Sequence, residues 1–259
     1  MSDHIVIERD GHIATVRLNR PAKLNAMTKP MWRALADAMR EVSAEDDLRC
    51  IVLRGTGGKA FSPGNDIAEF ETERSNKEQA RAYGEILHEA LRRLRDCRHP
   101  TVALIEGICV GGGLEIAGSC DIRICGASAR FGAPIKRLGL VMAYPEIGAL
   151  MRLVGRANAA EILLEGEVFG AGRAREMGIV SRIVPDDRVE EEAYAAARRI
   201  ADGAPLVARW HKKFLNRLAE GTPPTAEELD EGYACYDTED FQIGYKSFLA
   251  KTKPAFKGK

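Results

Sequence analysis

The sequence predicts an α/β fold that gives way to a helical C-terminal region. Three observations predict it. A hairpin pattern occupies residues 5–18, strand and helix patterns alternate through the middle of the chain, and beyond residue 145 nearly every segment has helical spacing.

Each element has its own signal. Ile5-Val6-Ile7 and Ile13-Ala14-Thr15-Val16-Arg17-Leu18 flank Asp10-Gly11, which predicts a hairpin with a type I′ turn. Thr28 and Pro30 open a helix carrying Met31, Leu35, Met39 and Val42 on one face. A short strand from Cys50 to Arg54 runs into the turn Gly55-Thr56-Gly57-Gly58. The next helix spans about Ser75 to Asp96, with an apolar stripe of Tyr83, Ile86, Leu87, Ala90, Leu91 and Leu94. Pro100 ends that segment, and Thr101 to Ile105 reads as a buried strand. Gly111-Gly112-Gly113 then opens a short helix through Ser119, followed by a strand from Asp121 to Cys125. Helices are predicted over 145–154, 157–164, 171–177, 188–202, 205–220, 225–236 and 239–250. Residues 1–200 are therefore taken as an α/β core and 201–259 as a helical region.

Composition narrows the function classes. Of 259 residues, 45% are hydrophobic and 29% charged, a globular balance. Lys plus Arg (38) equals Asp plus Glu (38), so no basic surplus addresses nucleic acid or an anionic membrane. The cluster His211-Lys212-Lys213 reads as a solvated helix face, and His88, His99 and His211 as surface histidines. The six cysteines include no C-x-x-C pair, and most sit in apolar strings such as Ile108-Cys109-Val110. They read as buried thiols in a reducing compartment rather than disulfides or metal ligands. MSDHIVIERD has no basic-then-apolar signal pattern, and the apolar stretch from Thr101 to Ala117 is interrupted by Glu106, Glu115 and glycines. A cytoplasmic protein without a membrane span is expected. No G-x-G-x-x-G, P-loop or metal-ligand cluster points to a dinucleotide, a nucleoside triphosphate or a metal.

Two segments carry the chemistry. One is Lys59-Ala60-Phe61-Ser62-Pro63-Gly64-Asn65-Asp66-Ile67. The other is Gly107 through Glu115, with Gly111-Gly112-Gly113 inside it, soon followed by Cys120-Asp121-Ile122-Arg123. Glycines opening a helix leave N–H groups unshielded, and these suit a negative oxygen because the orphan donors and the helix dipole both favour it. A tight strand-to-helix turn explains the same glycines without any ligand.

Together with Asn19-Arg20-Pro21-Ala22-Lys23-Leu24-Asn25-Ala26, these segments closely resemble the crotonase (enoyl-CoA hydratase/isomerase) superfamily. The resemblance runs to Phe248-Leu249-Ala250-Lys251 near the end. It implies a crotonase-type spiral of ββα units, with C-terminal helices that assemble a homotrimer or homohexamer. It implies hydration of an enoyl-CoA, with double-bond isomerisation of an enoyl- or dienoyl-CoA, or bare acyl-CoA binding, as alternatives. Coenzyme A enters as part of the substrate, and no cofactor is expected.

The resemblance also implies residue roles. The N–H groups of Asn65 and Gly112 would form an oxyanion hole for the thioester oxygen, on which enolate charge builds. Pro63 has no N–H and cannot join them. Glu115 matches the first of the family's two hydratase glutamates. Its apolar neighbours imply burial, which is costly for an idle acid; a carboxylate in a first helical turn is favourable on dipole grounds alone. After Phe131-Gly132-Ala133-Pro134 the second glutamate is replaced by Ile135. Between Gly139 and Arg152 the chain is longer than typical hydratases, and Glu146 falls where dienoyl-CoA isomerases of the family carry an aspartate. Glu146 is thus either a second acid/base or a helix-start carboxylate behind Pro145, and Tyr144 is a further pocket candidate. For coenzyme A, Ala22, Lys23 and Leu24 would line the nucleotide end. Asp66, Ile67 and Ala68 would lie near adenine and pantetheine, and Phe248 and Lys251 would reach a neighbouring subunit's ligand.

Overall fold

A computed structural model describes residues 3–259. The N-terminal hairpin forms as β1 (Ile5–Asp10) and β2 (Ile13–Leu18), antiparallel with Asp10 opposite Ile13. Of the two turn residues only Gly11 has positive φ (+55°), and His12 does not. The turn therefore follows the II′ rather than the expected I′ pattern, which needs positive φ at both positions. Helix α1 (Lys29–Ala44) is capped by the Thr28 hydroxyl, which accepts from the Met31 N–H. Then come β3 (Cys50–Gly55), β4 (Ala60–Ser62), the single turn α2 (Phe70–Glu73) and α3 (Lys77–Arg95). They are followed by β5 (Thr101–Ile105), β6 (Ile108–Val110) and α4 (Gly112–Gly118).

The second half contains β7 (Ile122–Gly126), β8 (Arg130–Gly132), α5 (Tyr144–Glu165), β9 (Val168–Gly170), α6 (Ala171–Glu176) and β10 (Arg182–Val184). From there on the chain is helical, with α7 (Val189–Ala201), α8 (Pro205–Leu218), α9 (Ala226–Glu231) and α10 (Glu239–Ala250). The helices predicted at 145–154 and 157–164 are the two arms of α5, broken at Gly155, where φ is +73°. The helix predicted at 225–236 ends at Glu231 and resumes as a 3₁₀ turn over Ala234–Asp237.

The strands divide into two sheets. Six form the order β1-β2-β3-β5-β7-β10, parallel except for the β1–β2 hairpin. Four form β4-β6-β8-β9, parallel except for β8–β9. The chain winds through them: β3, β5 and β7 each enter the large sheet, and β4, β6 and β8 follow directly in the small one before the chain leaves for a helix. This is the expected spiral of ββα units. The central strands are buried on both faces, as parallel strands with covered faces must be. Val52, Val102 and Leu104 face Val189, Ala193 and Ala197 of α7, while Ile51, Leu53, Ala103 and Ile105 join the main core with Trp32, Leu35 and Met39 of α1.

Candidate active site

The two glycine segments meet at the inner edge of the small sheet. The Met27 N–H donates to the Gly64 carbonyl (2.7 Å), and the Asp66 N–H donates to the Met27 carbonyl (2.8 Å). That bridge uses the amides around Asn65 and leaves the Asn65 N–H out of it. Gly112 is the first residue of α4, so its N–H has no carbonyl a turn earlier within the helix. The segments touch because both are glycine at the contact: a Cβ on Gly64 would lie 2.6 Å from the Gly112 nitrogen, and one on Gly113 would lie 2.0 Å from the Ser62 carbonyl oxygen. The Asn65 side chain is turned away and fixed, its Oδ1 accepting from Trp32 Nε1 at 2.7 Å and from the Tyr83 hydroxyl at 3.4 Å.

The N-terminal string works as a latch on the same loop. Arg20 Nη1 binds Asp66 Oδ2 at 2.7 Å and the Ala26 carbonyl at 3.1 Å. Asn25 is fully buried in a left-handed conformation (φ +64°), donating to the carbonyls of Thr56 and Ala60 while accepting from the Arg20 N–H. The Ser62 hydroxyl then donates to the Asn25 carbonyl at 2.8 Å and accepts from the Gly64 N–H at 3.1 Å. Within this string Ala22, Lys23 and Leu24 are the expected ligand contacts, while Arg20 and Asn25, which had no assigned role, set the loop that carries Asn65. The partner carboxylate Asp66 is held below the usual range, chiefly by Arg20 and then by the Ala68 N–H.

Beyond Gly112, α3, α4 and α5 enclose a cavity of about 310 Å³. Its walls are mostly apolar, with Leu91, Leu114, Met142 and Leu150 among them, and Glu115 and Glu146 face into it together. Glu115 is partly exposed as a residue and lines the cavity, while its Oε2 atom is sealed from solvent. Its Oε2 has no hydrogen-bond partner among the described residues. Burial pushes Glu115 up to about 8, the negative charge of Glu146 adds to the rise, and Arg74 opposes it. An acid in that state keeps its proton at neutral pH and can give it up on demand.

Glu146 is held differently. Its Oε2 accepts the Ala143 N–H at 2.9 Å, closing the N-terminus of α5, and its Oε1 lies 2.8 Å from His88 Nε2. Glu146 thus closes the helix start and faces the cavity at the same time. His88 corrects the expectation of a surface histidine, because it lines the cavity from α3. The sequence held a signal for this: His88 follows the Tyr83–Leu87 stripe by one residue and so borders the buried face. Tyr144 does not enter the pocket, being 93% exposed. Ile135 lies in a 3₁₀ turn and packs against the main core.

The remaining sequence candidates fall into two places. Ala22, Lys23 and Leu24 form a short 3₁₀ turn and its end, and with Asp66, Ile67 and Ala68 they occupy the outer side of the Asn65 loop, where Leu24, Ile67 and Ala68 are exposed. Phe248 (83% exposed) and Lys251 lie on and just after α10, which contributes nothing to the cavity lining. Among the described residues no group of three His, Cys, Asp or Glu side chains could hold a metal ion, and no helix is long and apolar enough to cross a membrane. Five of the six cysteines are buried free thiols. Two surface expectations are overturned. Lys212 is buried, its Nζ 2.8 Å from Asp121 Oδ2 and 3.0 Å from the His99 carbonyl. His99 is fully buried, and burial with nearby Arg209 and Arg98 pulls it down to about 4.

Known proteins resemble this chain in sequence and fold. The sequence profile described as Enoyl-CoA hydratase/isomerase matches residues 8–259. The short-chain-enoyl-CoA hydratase of Clostridium acetobutylicum is 30% identical, across 97% of this chain and 96% of that protein. The crotonyl-CoA hydratase of Syntrophomonas wolfei is 29% identical, across 98% of each. Among solved structures, an enoyl-CoA hydratase/carnithine racemase from Magnetospirillum magneticum is 49% identical and superposes with a TM-score of 0.98, covering 100% of this chain and 97% of that one.

Proposed function

The chain belongs to the enoyl-CoA hydratase/isomerase family, and from that premise we propose that it adds water across the conjugated double bond of an enoyl-CoA thioester. The thioester oxygen sits between the N–H groups of Asn65 and Gly112, which stabilise the enolate that forms when the β-carbon is attacked. One such donor is worth about 3–4 kcal/mol in the transition state, and the N-terminal end of α4 adds its dipole to the Gly112 donor.

Glu146 takes a proton from the attacking water as its oxygen bonds to the β-carbon, and Glu115 delivers its proton to the α-carbon. A proton passing from Glu146 to Glu115 restores the starting state. The observation that carries this reading is the pair itself: two carboxyls facing one apolar cavity, one of them with a buried oxygen that has no partner and pushed up to about 8. Ala22, Lys23, Leu24, Asp66, Ile67 and Ala68 hold coenzyme A along the outer side of the Asn65 loop. Phe248 and Lys251 serve a neighbouring copy, residues 201–259 building a homotrimer or homohexamer on the 1–200 core. Coenzyme A arrives as part of the substrate, and the chemistry needs no further cofactor. Buried free thiols fit a cytoplasmic, reducing setting.

A second reading, double-bond isomerisation, is favoured by Ile135, which packs into the core where hydratases of the family place a glutamate. The same two carboxyls would then move one proton between carbons, with no water attacking. Incubating the protein with a panel of enoyl-CoA thioesters, while following the conjugated absorbance and the product regiochemistry, decides between them. A 3-hydroxyacyl product supports hydration, a shifted double bond supports isomerisation, and no turnover on any of them overturns both.

A further inference from the structure

We propose that His88 is a positioning residue that makes Glu146, rather than Glu115, the proton acceptor of the pair. The proposal rests on the carboxylate mechanism above and adds to it a third group from a separate helix.

The geometry is specific. Glu146 is only 13% exposed, and each of its oxygens has one donor: the Ala143 N–H on Oε2 and His88 Nε2 on Oε1. A carboxylate only accepts, so the ring nitrogen donates. The Ala143 contact alone would serve to close the helix. The His88 contact comes from α3, 58 residues earlier in sequence, and lies inside the cavity. It fixes the carboxylate plane, and a bond to an ionised acceptor is the stronger kind. Glu115 has no such donor on Oε2. Two carboxyls in one cavity are thereby separated into a held acceptor and an unheld donor, the kind of contrast that assigns acid and base roles. The other charged groups facing the pair are Arg92 and Arg95 from α3 and Arg152 from α5 on the cavity wall, together with Arg74, which acts on Glu115. None of these four arginines bonds Glu146 in the structure, which leaves His88 as its side-chain donor.

The test is a double-mutant cycle on the purified protein, with crotonyl-CoA or the best thioester of the panel. His88→Ala is expected to lower kcat about tenfold or more with KM nearly unchanged, and to add almost nothing in a Glu146→Gln background. His88→Gln, which retains an N–H donor, should recover most of the rate. His88→Phe fills the ring volume without a donor and replaces His88→Ala if that variant melts at room temperature. Additive losses in the cycle, or wild-type rates in the donorless variants, overturn the proposal. A substrate-free measurement separates it from the proposed reaction. With the five histidines ¹⁵N-labelled, the His88 Nε2 resonance at one fixed pH should move in Glu146→Ala, which removes its 2.8 Å acceptor. An unchanged resonance overturns the pairing, whereas an inactive wild type whose His88 resonance does move in Glu146→Ala overturns the hydration reading alone.

Discussion

The Trp32 indole N–H donates to the Asn65 side-chain carbonyl at 2.7 Å, and the same ring stands 3.1 Å from the point a Cβ on Gly112 would occupy. One buried side chain thus backs both halves of the amide pair. Gly112→Val pushes its side chain against Trp32 and against Gly64, whose Cα lies 3.2 Å from the same point. Turnover should drop by about 10²–10³, the effect of spoiling one donor. Wild-type turnover in that variant would remove Gly112 from the site.

Glu115→Gln preserves shape and abolishes proton transfer, so kcat should fall by about 10²–10⁴ while ligand affinity holds. Glu146→Gln should cost a comparable factor. Because the side-chain amide in Glu146→Gln can still accept the Ala143 N–H through its carbonyl, a lost helix cap cannot account for a large deficit. Steady-state kinetics on the two variants decide this; full activity in both would send the chemistry elsewhere in the cavity.

Glu115 should also leave a mark on stability. Its folded value, raised from 4.5 to about 8, means the native state keeps a proton that the unfolded chain releases. Stability tied to this group is complete below about pH 4.5 and is lost as pH rises through 8. Glu115→Gln removes the effect, so its melting temperature should exceed that of the wild type by an amount that grows between pH 5 and 9. Each ~1 kcal/mol corresponds to about 2–4 °C in a chain of this size. Parallel melting curves for the two proteins across that range would contradict the raised value.

Ligand binding can be read apart from catalysis. Acetoacetyl-CoA, which offers the same thioester without a double bond to hydrate, should bind in a calorimeter and raise the melting temperature by about 2.7 kcal/mol of added stability at a hundredfold excess over Kd. Lys23→Glu should weaken that binding more than it changes kcat. No heat and no melting shift at millimolar ligand would count against the acyl-CoA assignment.

The long periodic elements were legible in the sequence because burial imposes the period directly: α1, α3, β2, β3 and β5 all lie where their apolar spacing puts them. The small sheet was not. Its strands β4, β6, β8 and β9 are three residues each, too short to show alternation, and they are defined by partners up to dozens of residues away. The flanks of His88 show only that it borders the buried face of α3; its contact with Glu146 depends on α5 folding back over α3. Lys212 reads as a surface lysine by composition, and only the placement of Asp121 beside it explains its burial. The family motifs, by contrast, marked Gly64, Gly112 and Gly113 at positions where any side chain would collide with backbone or with Trp32.

Gly139 and Gly155 carry a further consequence. Both are left-handed, with φ of +70° and +73°, and a Cβ at either would meet nothing within 4 Å. They bracket the stretch that contributes Met142, Glu146 and Leu150 to the cavity, so this wall is a cassette between two swivels. The arm after Gly155 keeps its own packing through Ala159 and Ile162. Met142 and Leu150 lie in this stretch on either side of Glu146, so changing the size of those two side chains, with Glu146 kept, is the direct way for selection, or for a protein engineer, to change which acyl group is accepted.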